Sequence, residues 1–257
     1  MSEADNSIND ESNVILSILL VLFKNKSDFI GIECNEEMNT VQITSNAVIT
    51  KEEIISCLTN GELRNISVVS TVSVKCNEDN HVLEIQCSHQ TITQNIIKNY
   101  TMRGIEITLQ HLFDGSMSKR ITLYQLESLL QSIHILHCTI TITLSQNQQR
   151  CLELNYFSTY TEAYEHTFHV RVNNMKSLYP CHSVLIEGCY CPIEFVPSLS
   201  SSSQTIILFN SHPIHNETLL QKLKLLYLKF MKLPQSTQFY PPVFIHFYSF
   251  HNSIDVC

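Results

Sequence analysis

A chain of 257 residues, 44% hydrophobic and 16% charged, without tryptophan, is long enough to bury the core of one large domain or two modest ones, and two are expected. Its formal net charge of −8 has the wrong sign for a domain whose main task is gripping phosphate backbones, so any DNA contact must be local or supplied by a partner. The longest apolar run, Val14 to Phe23, is about half the ~20 residues needed to cross a bilayer.

The opening residues, 1–11, read as a flexible acidic lead-in without the basic segment or cleavage pattern of a secretory signal, which predicts an intracellular chain. Ten cysteines without a regular framework then read as reduced core thiols rather than disulfides. A helix is predicted over Ser12 to Asn25, with Ser12 or Asn13 as its N-cap; its apolar residues fall on nearly every face, so it should be buried. Strands follow at Phe29–Cys34 and Thr40–Thr44, and Thr50-Lys51-Glu52-Glu53 reads as a cap opening a second helix to about Leu58. Ile66 to Val74 and Val82 to Cys87 give a strand pair around the turn Asn77-Glu78-Asp79-Asn80, and a further strand is Gly104–Leu112.

Beyond Lys119-Arg120 the pattern restarts, placing a domain boundary near residue 120, with one domain over 12–120 and another over 121–257. The second half reads as a helix Leu123–His134, a strand Thr139–Leu144, a polar turn at Gln146-Asn147-Gln148-Gln149 and a short helix near Thr161–Phe168. Strands at Ser183–Tyr190 and Thr205–Asn210, a helix Glu217–Lys232 and a strand Val243–Phe247 complete it, with Ser200–Ser203 as a surface loop. Composition and this mixture of helices and strands suit a folded α/β or α+β protein.

Two clusters carry possible chemistry. Cys181, His182, Cys189 and Cys191 are soft ligands, but C-x-C departs from the C-x₂₋₄-C spacing of zinc knuckles, and Cys189 and Cys191 share one face of a strand and could equally line a core. The helix from Glu217 sets Leu219, Leu220, Leu223, Leu226 and Phe230 along one side and Lys222, Lys224, Lys229 and Lys232 elsewhere, which predicts a docked helix with a solvated basic face. A second reading makes those lysines, with Lys119 and Arg120, a DNA-facing patch.

Several segments, read in order, resemble landmarks of the MutL family of DNA mismatch-repair proteins. Asp10 to Leu16 looks like the start of the family's first helix, "xPxxVVKELVEN", and Thr40 to Ile54, TVQITSNAVITKEEI, is similar to "IxxxDNGxGIxxEDL". Asn60 to Val74, NGELRNISVVSTVSV, resembles "GFRGEALASISxVSxVxI", and Arg103 to Arg120 resembles "GTxVxVxxLFxNxPxRRK". The parallel continues through His137–Leu144, IEGCYCP at Ile186–Pro192, IILFNSHPI at Ile206–Ile214 against "FFVNxRPV", Pro242–Phe247, and Ile254 to Cys257, IDVC, against "VDVNVHPxK". The resemblance spans about residues 8 to 257. It implies a two-layer α/β sandwich of the GHKL ATPase type followed by a ribosomal-S5-like transducer domain. The Asp-Val-Cys ending is most similar to the meiotic branch of the family.

The same resemblance implies what the nucleotide site has lost. Ser17 falls where the family's catalytic Glu stands and Val21 where its magnesium-binding Asn stands. A hydroxyl does not take a proton from water near neutral pH, and valine has no oxygen for a cation that demands near-octahedral oxygen ligation. Ser45 replaces the adenine-binding Asp and Ala47 the first glycine of the loop, the lid is shortened between Leu58 and Gly61, and the family's γ-phosphate lysine would follow Cys257. What remains is a residual nucleotide site of Asn46, Gly61 and Glu62, residues that serve equally as turn and cap formers. The resemblance thus implies a nuclear protein without catalytic or metal-ligating residues, joining another MutL-type subunit as a heterodimer in mismatch repair or meiotic recombination. ATP would be bound weakly or not at all, magnesium would not be held, and no membrane is involved. The alternative is a MutL homologue that binds ATP and hydrolyses it weakly.

Overall fold

The computed structural model describes residues 10–35, 40–50, 52–54, 56, 69–76, 82–88, 91–94, 101–111, 122–179, 184–192, 195, 204–214, 216–234 and 240–249. Its compact units are two.

The first unit is built on an eight-stranded mixed sheet. Its strands are β1 (Phe29–Asn35), β2 (Thr40–Thr50), β3 (Val69–Cys76), β4 (Val82–Ser88), β5 (Thr91–Gln94), β6 (Thr101–His111), β7 (Thr141–Gln146) and β8 (Gln149–Leu154), in the order β5-β4-β3-β6-β2-β1-β7-β8. Helix α1 (Asp10–Lys24) packs on β2. It starts two residues before the expected N-cap at Ser12. Val14, Ile15, Leu16, Ile18, Leu19 and Leu22 are all buried, so α1 is held on most of its circumference, as its sequence predicts.

β2 alternates in the way a half-buried strand should: Val41, Ile43, Ser45, Ala47 and Ile49 point inward, while Asn46 and Val48 are exposed. The strand reaches Thr50, beyond the predicted end at Thr44, because the segment expected as a loop stays in the sheet and takes up its extra residue as a bulge against β6 between Ser45 and Val48. Residues 52–54 and 56 are helical, as expected after the Thr50 cap.

β1 runs parallel to β7, with Ile30 beside Ile142 and Ile32 beside Leu144. β7 and β8 form a hairpin closed by Asn147 and Gln148, whose φ values of 49° and 67° are those of a two-residue type I′ turn. Helix α2 (Leu123–Leu136) opens on a capping box: the Thr122 amide donates to Gln125 Oε1 at 2.9 Å, and the Gln125 amide donates back to Thr122 Oγ1 at 3.2 Å.

The second unit has five strands, β9 (Asn173–Tyr179), β10 (Val184–Tyr190), β11 (Thr205–Phe209), β12 (His212–Pro213) and β13 (Val243–Ser249), ordered β12-β11-β13-β10-β9. Helices α3 (Tyr160–Phe168) and α4 (Glu217–Phe230) are N-capped by Thr159 and Asn216, each accepting from the amide three residues on. Ile135, Tyr164, Cys189, Cys191, Leu208 and Phe244 form its core. Gly188 lies where β10 meets β13; a Cβ there would overlap the Phe244 carbonyl oxygen and stand 3.0 Å from its carbon.

The division between units differs from a single cut near residue 120. Residues 139–156 return to the first sheet as β7 and β8, while Ser128–Cys138 and the chain from Phe157 belong to the second unit. The apolar alternation of Ile140, Ile142 and Leu144, all buried, marks a strand but not the sheet it joins; the pairing to β1 decides that.

Candidate functional site

The resemblance directs attention to the end of α1 and the bend of β2. On α1, Ser17, Leu20 and Val21 are half-buried, in contrast to the buried residues around them, so the helix turns this side away from its core. Ser17 and Val21, four residues apart, lie on one face of the helix. That face presents a hydroxyl and an isopropyl group.

α1 ends in a Schellman motif. The Ser27 amide donates to Leu22 O at 3.2 Å and the Lys26 amide to Phe23 O at 3.1 Å, with Lys26 at φ 53°, in the left-handed region that favours glycine. The turn is then tied to β2 by a compact polar cluster. The Ser27 and Ser45 hydroxyls, both buried, are 2.7 Å apart. The Asn46 side-chain oxygen accepts from Ser27 Oγ at 3.1 Å and from the amides of Asp28 and Phe29 at 3.0 and 3.2 Å, and Ser45 Oγ accepts from the Ala47 amide at 3.0 Å.

Asn46, expected in a loop, stands in β2, and its side-chain oxygen accepts from the chain itself. Gly61 and Glu62, the other two residues of the expected remnant, lie outside the described residues, as do Lys119 and Arg120.

One carboxylate that the sequence reading used only as a cap reaches the end of α1. Glu53 accepts from the Thr50 amide at 2.9 Å and from Thr50 Oγ1 at 3.2 Å, and with its other oxygen from Asn25 Nδ2 at 3.3 Å. Asn25 Nδ2 also donates to Val21 O at 2.9 Å. The Thr50 amide bond holds the Glu53 carboxyl below the usual range, with partial burial opposing and the Asn25, Thr50 and Lys24 contributions reinforcing. A carboxylate held ionised and engaged at both oxygens is a poor general base. The i to i+3 spacing of Thr50 and Glu53 signals the cap; the link to Asn25, 28 residues away, had no sequence signal.

ATP with magnesium is the group this kind of site would take, and the described residues do not fit it. Val21 offers no lone pair to a cation, Ser17 no base to water, and the oxygen of Asn46 and the hydroxyl of Ser45 are already bonded within the cluster.

In the second unit, Cys189 and Cys191 are fully buried among the core residues, and burial pushes the Cys189 thiol up to about 12. Cys181 and His182 lie outside the described residues.

No family model and no curated protein matches the sequence. Solved structures do match the fold. The MutL ATPase domain of Aquifex aeolicus complexed with ADP aligns at 15% identity over 94% of this chain and 92% of that one, with a TM-score of 0.59. The N-terminal domain of a DNA repair protein aligns at 13% identity over 92% and 82%, with a TM-score of 0.63. The chain has the GHKL ATPase fold. The 43K ATPase domain of Thermus thermophilus gyrase B, in complex with an aminocoumarin, is similar too, at 10% identity over 91% and 74% and a TM-score of 0.53. In this GHKL fold the mixed sheet and the helix laid on it are kept, while the polar groups at the end of that helix are bonded to one another.

Proposed function

We propose that this chain is a non-hydrolysing MutL-like DNA-repair subunit that works by assembly, joining a MutL-type partner whose own ATPase is intact. Two observations carry the reading: in a retained fold, Ser45 and Asn46 are hydrogen-bonded within the Ser27–Ser45–Asn46 cluster, and positions 17 and 21 of α1 carry a hydroxyl and an isopropyl group. Its setting would be a nucleus, in mismatch repair or meiotic crossing-over. The net charge of −8 supports a subunit that meets DNA through its partner.

Two measurements test this. Phosphate release from Mg·ATP by the purified chain is expected to stay at the buffer rate; release that saturates with ATP and is abolished by Ser17→Ala would replace the proposal with a weakly hydrolysing enzyme. Mixing with a MutL-type subunit is expected to give a 1:1 complex in sedimentation; the absence of any complex with such subunits would refute the assembly role.

A further inference from the structure

Helix α4 carries two apolar stripes, and the second is left largely uncovered at its C-terminal end. Leu220, Tyr227 and Leu228 turn toward the unit's own core: Leu228 is fully buried, and the Tyr227 hydroxyl donates to Cys191 O at 2.5 Å. The other stripe is Leu219, Leu223, Leu226 and Phe230. Steps of four, three and four residues keep all four within an arc of about 60° at 100° per residue, the a/d spacing of a helix that packs against another helix. Leu226 is 63% and Phe230 69% exposed. The sequence places Leu219, Leu220, Leu223, Leu226 and Phe230 on one docked side; in the structure Tyr227 and Leu228 are the buried residues, while Leu226 and Phe230 stay exposed, Phe230 with one edge against the Tyr190 ring.

The border of the exposed stripe is charged. Lys222 and Lys229, seven residues apart and both exposed, run along one edge, and the single acid of the helix is Glu217 at its start. Lys224 lies over the Tyr240 ring at 5.8 Å, and the ion pairs among the described residues, Arg150–Glu153 and His246–Glu187, leave Lys222 and Lys229 out.

We propose that this face of α4 is a docking surface for an acidic amphipathic helix of a partner protein. The leucines and Phe230 would take the apolar seam of the incoming helix, and Lys222 and Lys229 would meet glutamates along its flank. A second copy of the chain is a poorer occupant, since an antiparallel pair would set the two lysine borders against each other between bodies that each carry −8. Duplex DNA could meet the lysines, but it has nothing to cover Leu226 and Phe230.

This inference does not depend on the nucleotide site, and its test contains no nucleotide. A fluorescent synthetic helix with leucines at four-three spacing and flanking glutamates, its lysine-flanked counterpart, and a fluorescent DNA duplex are titrated with the full chain by anisotropy. The glutamate helix is expected to bind at least tenfold more tightly than the lysine helix. Leu226→Asp with Phe230→Asp should abolish that binding, Leu226→Asp alone, at a side chain 63% exposed, should weaken it at least tenfold with the thermal melt unchanged, and Lys222→Glu with Lys229→Glu should invert the preference. Equal binding of both helices, binding of neither, binding of DNA alone, or self-association that the Leu226/Phe230 double variant abolishes would each overturn the proposal.

Discussion

Replacing Gly188 by alanine tests the second unit where its packing leaves no slack. The added Cβ would overlap the Phe244 carbonyl oxygen, stand 3.0 Å from the Phe244 carbon and 3.2 Å from Ile245 Cα. All three are backbone atoms of the neighbouring strand, so no side-chain rotation relieves the clash and β10 must move off β13. Overpacking of this kind costs about 1–3 kcal/mol, and loosening one or two ladder bonds adds about 1 kcal/mol each. Summed, the loss is about 2–5 kcal/mol, or roughly 8–20 °C at about 4 °C per kcal/mol for a unit of about a hundred residues. Gly31 is the internal control. Its added Cβ would be 2.6 Å from Thr44 Oγ1, a side-chain atom that can rotate away, and 3.2 Å from the Phe29 ring. Gly31→Ala should therefore cost less than about 1 kcal/mol, since alanine also removes glycine's extra unfolded-state entropy. Urea titrations followed by circular dichroism compare the two; equal effects, or a loss below about 1 kcal/mol for Gly188→Ala, would refute the close approach of β10 and β13.

Lys26→Gly should stabilise the chain by about 1 kcal/mol, because the left-handed conformation at φ 53° strains any residue with a Cβ; the same urea assay reads it. Asn46→Ala should destabilise by about 0.5–1.5 kcal/mol by removing the acceptor shared by the Asp28 and Phe29 amides, whereas a residue kept for a ligand would be neutral to stability. Acid should weaken the second unit before carboxylates titrate. Burial, with the charges of His246 and His134 behind it, lowers His137 from 6.5 to about 4, and burial lowers His246 against the pull of Glu187. A lowered folded pKa means the unfolded chain binds the proton first, so this stability is complete above pH 6.5 and declines as pH falls toward about 4. At 1.36 kcal/mol per unit, going from pH 6.5 to 5 removes about 2 kcal/mol, and His137→Phe should flatten that slope.

Much of the first unit could be read in the chain. The all-round apolar α1, the alternation of β2 and the Asn147–Gln148 turn follow from local rules, and each stands within a few residues of its predicted place. β8, β9 and the four-residue β5 were missed because their residues, such as Asn173-Asn174-Met175-Lys176, carry little apolar alternation; they are strands because a neighbour supplies the hydrogen bonds. Which of the two apolar stripes of α4 faces inward is also invisible locally, since both have helical spacing. At the candidate site, the substitutions at 17 and 21 could be read by order along the chain. The reuse of Ser45 and Asn46 as a clamp on the turn after α1 could not, because it joins residues about 18 positions apart that no spacing rule connects.

On the proposed reading, the end of α1 and the bend of β2 form a packed polar joint that takes no nucleotide. Titration calorimetry of the full chain with a non-hydrolysable ATP analogue and magnesium, at millimolar nucleotide, measures this directly. A flat trace, identical with and without magnesium, is the expected result. Saturable, magnesium-dependent heat that Asn46→Ala removes without unfolding the chain would contradict it.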